Sequence, residues 1–277
     1  MTAPDLAAAR SLLFVPGDRP ERFAKAAASG ADAVVLDLED AVAAVAKSDA
    51  LAQVVHWLST GSRAIIRINA VGTPTHAAEV EALAGTGAAV MLPKTESAVQ
   101  VADVHRALGG APVLALVETP VGIRDVDEIA RAEGLARLAL GTVDLAADLG
   151  VDPSSYAAFA YSRSRLVIAS AAAGLAPPID GVTVRLDDPD VLAADLAVSR
   201  ELGLSAKLCI HPQQVAAVNE AFTPTQVELD WAARIVAAVE DTSAAGGDGV
   251  MVVDGTMVDA PVVTRARRLL SRATPRP

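Results

Sequence analysis

The sequence predicts an α/β protein, a (β/α)8 TIM barrel with a C-terminal helical and hairpin extension, and three observations lead there. Eight short apolar runs recur along the chain. Alanine-rich segments with helical spacing separate them, several followed by glycine. Hydrophobic residues make up 52% of the chain but aromatic ones only 3%, so the core must be built from Ala, Val, Leu and Ile, which suits helices packed on a parallel sheet.

The runs are read in order as strands: "SLLFVP" (11–16), "AVVLDLE" (33–39), "AIIRIN" (64–69), "AVMLPK" (89–94), "VLALVE" (113–118), "RLALGT" (137–142), "PPIDGV" (177–182) and "AKLCIH" (206–211). They are continuously apolar rather than alternating, the mark of strands covered on both faces. The intervening segments 21–28, 77–84, 96–108 and 154–173 carry helical spacing, and Gly30, Gly174 and Gly203 stand where helix C-caps belong. Strand alternating with helix implies parallel pairing with crossovers. Eight such units favour a closed barrel over a doubly wound open sheet, and no GxGxxG follows a strand to support the dinucleotide-binding version of the latter. The barrel is assigned to 1–222 and the extension to 223–277. Within the extension, "TPTQVELDWAARIVAAVEDTS" reads as a helix, "AAGGDG" as a mobile link, "VMVVDGTMVD" as a hairpin or short strands, and "APVVTRARRLLSR" as a final helix.

Charge and composition exclude several classes. At 277 residues and a formal charge of −11 the chain offers no electrostatic footprint for nucleic acid or an anionic membrane. A single cysteine, Cys209, rules out an internal disulfide and a cysteine-cluster zinc site, and its apolar surroundings suit a buried inert thiol. The N-terminus lacks a signal-peptide pattern, and no apolar run reaches the ~18–20 residues of a membrane span, so a soluble cytoplasmic protein is expected. Neither GxSxG nor a P-loop occurs.

Barrel chemistry sits at the C-terminal ends of strands. Those ends collect Asp37, Glu39 and Asp40, then Arg67 and Asn69, Lys94, Glu118, Asp144 and His211. Carboxylates without a cysteine cluster favour a hard divalent cation, and Mg²⁺ takes one or two protein carboxylates while keeping waters and substrate oxygens. Glu118 and Asp144, from neighbouring strands, suit that task, and the fork of Arg67 suits a substrate carboxylate. An internal Glu118–Arg67 ion pair is the competing reading. Asp37, Glu39 and Asp40 are read first as capping or internal pairing groups. Lys94 is open between pairing an acid and touching substrate, and His211, ahead of Pro212, between fixing a turn and binding a ligand. His56, His76 and His105 show no ligand spacing.

The segments "RSLLFVPGDRPERFAKA" (10–26), "GADAVVLDLEDAV" (30–42), "IIRIN" (65–69), "VMLPKTES" (90–97), "ALVETPVGI" (115–123), "LALGTVDLAADLG" (138–150), "KLCIHPQQV" (207–215) and "GTMVDAPV" (255–262) occur in an order that resembles the citrate lyase beta subunit-like proteins of the HpcH/HpaI aldolase superfamily, relatives of malyl-CoA lyases. The resemblance implies a barrel assembling as homotrimers or hexamers that uses Mg²⁺ to make or break a C–C bond in an acyl-CoA. It implies Glu118 and Asp144 as metal ligands and Arg67 as the substrate-carboxylate residue. Phe14, Arg19 and Lys25 match positions contacting coenzyme A, and Ile210 with His211 another ligand-contacting pair. Asp259 matches an acid brought over the site by a neighbouring subunit. The expected activity is a carbon–carbon lyase on a citryl-CoA or malyl-CoA-like substrate; the alternatives are a thioesterase or synthase, or a subunit acting on a group bound to an acyl carrier protein. Val143 replaces an acid that many relatives place before the metal aspartate, and 70–83 lacks their aromatic pair; both bear on substrate choice.

Overall fold

In the computed structural model, which describes residues 5–244 and 251–273, eight parallel strands close into one barrel in sequential order. They are β1 (Ser11–Pro16), β2 (Ala33–Asp37), β3 (Ile65–Arg67), β4 (Val90–Leu92), β5 (Val113–Val117), β6 (Leu135–Leu140), β7 (Ile179–Asp180) and β8 (Ala206–Cys209). β1 pairs with β8 through Ser11↔Lys207 to Leu13↔Cys209, which closes the ring. The crossovers carry α1 (Phe23–Ala27), α2 (Lys47–Ser59), α3 (His76–Leu83), α4 (Ala98–Ala107), α5 (Pro120–Arg124), α6 (Val126–Ile129), α7 (Thr142–Leu149), α8 (Tyr156–Ala172), α9 (Pro189–Leu202) and α10 (Gln213–Phe222).

All eight runs read as strands form strands: β1 keeps the bounds read from the sequence, β6 keeps its length but lies two residues earlier, and the other six are shorter than their apolar patterns. Ladders stop where the chain turns towards the mouth. β7 keeps two residues because Pro177 and Pro178 have no N–H to donate and Gly181 follows. β6 ends at Leu140 because Gly141 already caps α7. The helix expected at 21–28 splits into a 3-10 turn, Pro20–Arg22, and the short α1. Gly203 caps α9 and Gly150 caps α7 in the left-handed conformation, where glycine escapes the steric penalty of a Cβ.

Side chains alternate across each strand. Leu12, Val35, Ile65, Met91, Leu116, Ala139, Ile179 and Leu208 fill the barrel interior. Their neighbours Leu13, Leu36, Ile66, Val90 and Leu138 are equally buried on the other face. With both faces dry, the strand runs are apolar without a break. At the floor of the barrel stands the fully buried Arg137 of β6. Its Nε donates to the Pro177 carbonyl at 2.7 Å, Nη1 to those of Leu6 and Ala9 at 3.0 and 2.7 Å, and Nη2 to Ser205 Oγ at 2.9 Å.

The chain divides into two compact units, Met1–Glu220 and Ala221–Pro277. The second contains α11 (Gln226–Ala244), the antiparallel strands β9 (Met251–Val253) and β10 (Thr256–Val258), and α12 (Ala260–Ala273). Asp254 and Gly255, with φ of 51° and 77°, make the Asp-Gly turn that suits a two-residue hairpin. Ala232, Ile235, Val258 and Ala266 form its own small core, and the Arg265 guanidinium lies 4.9 Å from the centre of the Trp231 ring. Most of the "AAGGDG" stretch lies outside the described residues. Among the described residues, no helix is long and apolar enough to cross a membrane.

Candidate active site

The strand ends bring an acidic cluster to one end of the barrel. Asp37 ends β2 and Arg67 ends β3, and the two are direct partners in the strand register. Arg67 Nε donates to Asp37 Oδ1 at 2.7 Å and Nη2 to Oδ2 at 2.5 Å. Arg67 Nη1 stands 2.9 Å from Glu39 Oε2, an ion contact that is not aligned as a hydrogen bond. The guanidinium carbon of Arg67 lies over the Phe14 ring, 4.8 Å from its centre. Arg67 thus pairs with Asp37 and Glu39, and at least two of its five N–H bonds remain for another acceptor. Burial alone would lower its pKa, but Asp37 and Glu39 outweigh that and raise it.

Lys94, just past β4, has φ of 48°, a left-handed conformation that costs a residue with a Cβ about 1–2 kcal/mol. Its backbone N–H donates to Glu118 Oε1 at 2.9 Å. Its Nζ lies 2.8 Å from Glu39 Oε1 and 2.8 Å from Asp144 Oδ2. Burial works to lower the ammonium pKa, yet the hydrogen bonds to Asp144 and Glu39 raise it. Burial raises the Glu39 carboxyl, and the charges of Arg67 and Lys94 only partly offset this.

Glu118 follows β5 and is buried. Burial, with the nearby negative charge of Glu39 and Asp144, pushes its carboxyl up to about 8 against the opposing Lys94 N–H. Gly141 makes room for it: a Cβ there would lie 2.3 Å from Glu118 Oε2 and 2.5 Å from Glu118 Cβ. Asp144 stands in the first turn of α7, where the helix dipole favours an anion. The donor set fits a hard divalent cation: all oxygen, with Glu118, Asp144 and Glu39 gathered around one ammonium and a surplus of negative charge. Among the described residues no three His, Cys, Asp or Glu side chains stand together so as to hold a metal ion by themselves. Mg²⁺ does not need three, since substrate and water oxygens complete its shell.

The other predicted residues fall around this cluster less uniformly. His211 Nδ1 accepts from the Gln213 N–H at 3.2 Å, and Gln214 Oε1 accepts from the N–H groups of Ile210 and His211, so this stretch fixes the start of α10. Ile210 and Val143 are exposed. Arg19 and Lys25 are exposed as well, with Asp18 as the ion partner of Arg19 at 3.9 Å. Asp259, in the second unit, accepts from Val262 N–H at 3.2 Å and caps α12. His76, expected to be ordinary, lies with Nδ1 2.8 Å from the Asn69 carbonyl.

A buried network behind the mouth escaped the sequence reading. Lys47 Nζ donates to the carbonyls of Leu38 and Glu39 and to Asn69 Oδ1 at 2.8, 2.9 and 2.8 Å. Glu79 receives the backbone and side-chain N–H groups of Asn69. The network fixes the backbone that carries Glu39. The one signal was a glutamate, Glu79, next to Val80 and four residues before Leu83, the apolar residues that α3 buries.

Comparison with known proteins follows the same lines. Residues 10–212 match the HpcH/HpaI aldolase/citrate lyase family. The chain is 40% identical to the citrate lyase subunit beta-like protein of Mycobacterium tuberculosis, with 96% of each chain covered. It is 35% identical to the (3S)-malyl-CoA thioesterase of Cereibacter sphaeroides, over 95% of this chain and 94% of that one. Among solved structures, it is similar to the protein CitE from Mycobacterium tuberculosis in complex with magnesium, acetoacetate and coenzyme A, at 38% identity and a TM-score of 0.81, covering 97% and 99% of the two chains. An eight-stranded parallel barrel, an acidic cluster with an arginine fork at its strand ends, and a match spanning most of the sequence lead to one conclusion: the chain belongs to the HpcH/HpaI aldolase/citrate lyase family.

Proposed function

We propose that this protein is a Mg²⁺-dependent carbon–carbon lyase that cleaves a citryl-CoA or malyl-CoA-like 3-hydroxyacyl-CoA to acetyl-CoA and an oxo-acid. The observation that carries it is the cluster of Glu118, Asp144, Lys94, Glu39 and Arg67 at one barrel end. Glu118 and Asp144 would hold the Mg²⁺, which when bound supplies Lewis-acid polarisation of the substrate's oxygens. The magnesium and coenzyme A of the similar CitE structure support this reading.

The chain's own groups do the rest. Arg67, set over the Phe14 ring and locked by Asp37, offers its spare N–H bonds to the substrate carboxylate. Phe14, Arg19 and Lys25 receive the coenzyme A portion, and Val143, Ile210 and His211 border the acyl group. The substrate hydroxyl gives its proton to a solvent water at the open barrel mouth, and its C–O bond becomes the carbonyl of the oxo-acid. The adjacent C–C bond breaks, and its electron pair forms the enolate of acetyl-CoA. Asp259 of a neighbouring copy in a homotrimer or hexamer protonates that enolate carbon, or removes the proton in the synthetic direction.

Hydrolysis of the thioester by water is the second reading. It is favoured by the similarity to a (3S)-malyl-CoA thioesterase. Mass-spectrometric product analysis of the purified protein, with citryl-CoA and both malyl-CoA enantiomers and with or without Mg²⁺, decides between them. Acetyl-CoA plus an oxo-acid supports the lyase, whereas free CoA plus the hydroxy acid supports the thioesterase. No turnover on any of them counts against both and directs attention to carrier-bound substrates.

A further inference from the structure

We propose that Lys94 is the resident counter-cation of the acidic mouth, that a divalent ion displaces its ammonium from Asp144, and that this exchange sets the affinity for Mg²⁺. The proposal rests on reading Glu118 and Asp144 as the metal pair.

Three observations separate Lys94 from an ordinary surface lysine. Its ammonium stands at the same 2.8 Å from carboxylates on two different elements, Glu39 after β2 and Asp144 on α7. Its backbone is held left-handed, and the N–H so presented donates to the third carboxylate, Glu118. Its side chain nevertheless remains 38% exposed, unlike those of Arg67 at 13% and Asp37 at 2%. The backbone is therefore pinned while the four-carbon stem has room to swing.

Charge counting gives the direction. Arg67 and Asp37 neutralise each other in a two-pronged pair. That leaves Glu39, Glu118 and Asp144 around the single ammonium of Lys94, three acids to one base. A dication held by Glu118 and Asp144 supplies the missing charge, and an ammonium left 2.8 Å from Asp144 would oppose it. Glu39 is the place to which the ammonium withdraws, because that contact uses neither metal carboxylate. The lysine thus offsets repulsion among the carboxylates of the mouth and weakens their grip on a metal.

Isothermal titration of Mg²⁺ into wild type, Lys94→Met, Lys94→Arg and Asp144→Asn tests this, at about pH 9, where ordinary carboxylates are fully ionised and proton competition is small. Wild type is expected to bind one Mg²⁺ and Asp144→Asn to lose it. Lys94→Met is expected to bind at least about tenfold more tightly, since a unit positive charge a few ångströms from the dication has gone. Lys94→Arg, which restores the charge, is expected to return towards wild type. Should Lys94→Met not fold by circular dichroism, Lys94→Gln takes its place with the same expectation. Equal or weaker binding by a folded Met or Gln variant overturns the displacement proposal and leaves the metal pair standing. Wild-type binding that Asp144→Asn leaves intact overturns the metal-pair reading, and this proposal with it.

Discussion

Arg67 and Asp37 face each other across the β2–β3 register and join through two parallel hydrogen bonds of 2.7 and 2.5 Å. The pair turns the arginine edge towards β2 while the guanidinium sits over the Phe14 ring, so the remaining N–H bonds have a fixed direction. Lysine has no planar fork with which to copy this geometry. Arg67→Lys should therefore lower kcat/KM by roughly 100-fold, about 2–3 kcal/mol, chiefly through KM for the carboxylate-bearing substrate. Steady-state kinetics read the split. Asp37→Asn should instead cost about 3 kcal/mol of stability, at the low end for a broken buried pair because Glu39 remains beside the arginine. Urea unfolding measures that.

Glu118 predicts a pH dependence of definite sign. Its folded pKa of about 8 lies above the ordinary value of about 4.3, so between those limits the folded chain binds more protons than the unfolded one. Metal-free stability should fall as pH rises through this window. Mg²⁺ needs the carboxylate, so its affinity should rise over the same range and level off above about pH 8, with close to one proton released per ion at pH 7. Calorimetry in buffers of different ionisation enthalpy counts that proton. Glu118→Gln should abolish both trends.

Gly141 offers a test that adds only one methyl group. Its φ of −99° and ψ of 103° suit alanine, so Gly141→Ala introduces no backbone strain. The added Cβ would collide with the Glu118 carboxylate at 2.3 Å and with Glu118 Cβ at 2.5 Å, and so would displace the whole residue. Mg²⁺ affinity and turnover should each drop by about tenfold or more, and the melting temperature should fall as well, because the contact with Glu118 Cβ requires a backbone shift. A variant that keeps wild-type affinity would show that Glu118 does not need its present position.

Asp259 should separate turnover from binding. Its carboxylate caps α12, a task that asparagine performs equally well. Asp259→Asn should keep the melting temperature and Mg²⁺ affinity while lowering kcat by about 100-fold or more, within the range of a lost general acid. Equal losses in kcat and Mg²⁺ affinity would remove Asp259 from its proposed role. Mixing inactive Asp259→Asn with inactive Glu118→Gln subunits should restore partial activity if the acid crosses between copies.

The sequence made the strands legible because both faces of a parallel barrel are dry. "VLALV" and "AVVLD" therefore read as continuous apolar runs. It also told which ends face the mouth, and so grouped Arg67, Lys94, Glu118 and Asp144. What it left open was who pairs with whom. The suggested Glu118–Arg67 pair gave way to Arg67–Asp37, because register places those two side by side. Lys94 meets Glu39 across 55 residues of sequence, a distance over which local pattern carries no information. Gly141 falls within the run 137–142 that reads as a strand, and its role goes unseen because it lies in the atom the residue lacks.

The floor of the barrel has a consequence for how the chain acquires its fold. Arg137 holds the carbonyls of Leu6 and Ala9 across 131 and 128 residues of sequence and that of Pro177 across 40. No nascent chain can complete these contacts before all three segments have emerged, and the β1–β8 ladder waits longer still, for Cys209. Such non-local contacts make closure slow, because the loop entropy must be lost before they form. Until its three carbonyl partners are in place the Arg137 guanidinium keeps its water shell, so its dehydration depends on distant segments meeting at the end of the barrel away from the chemistry.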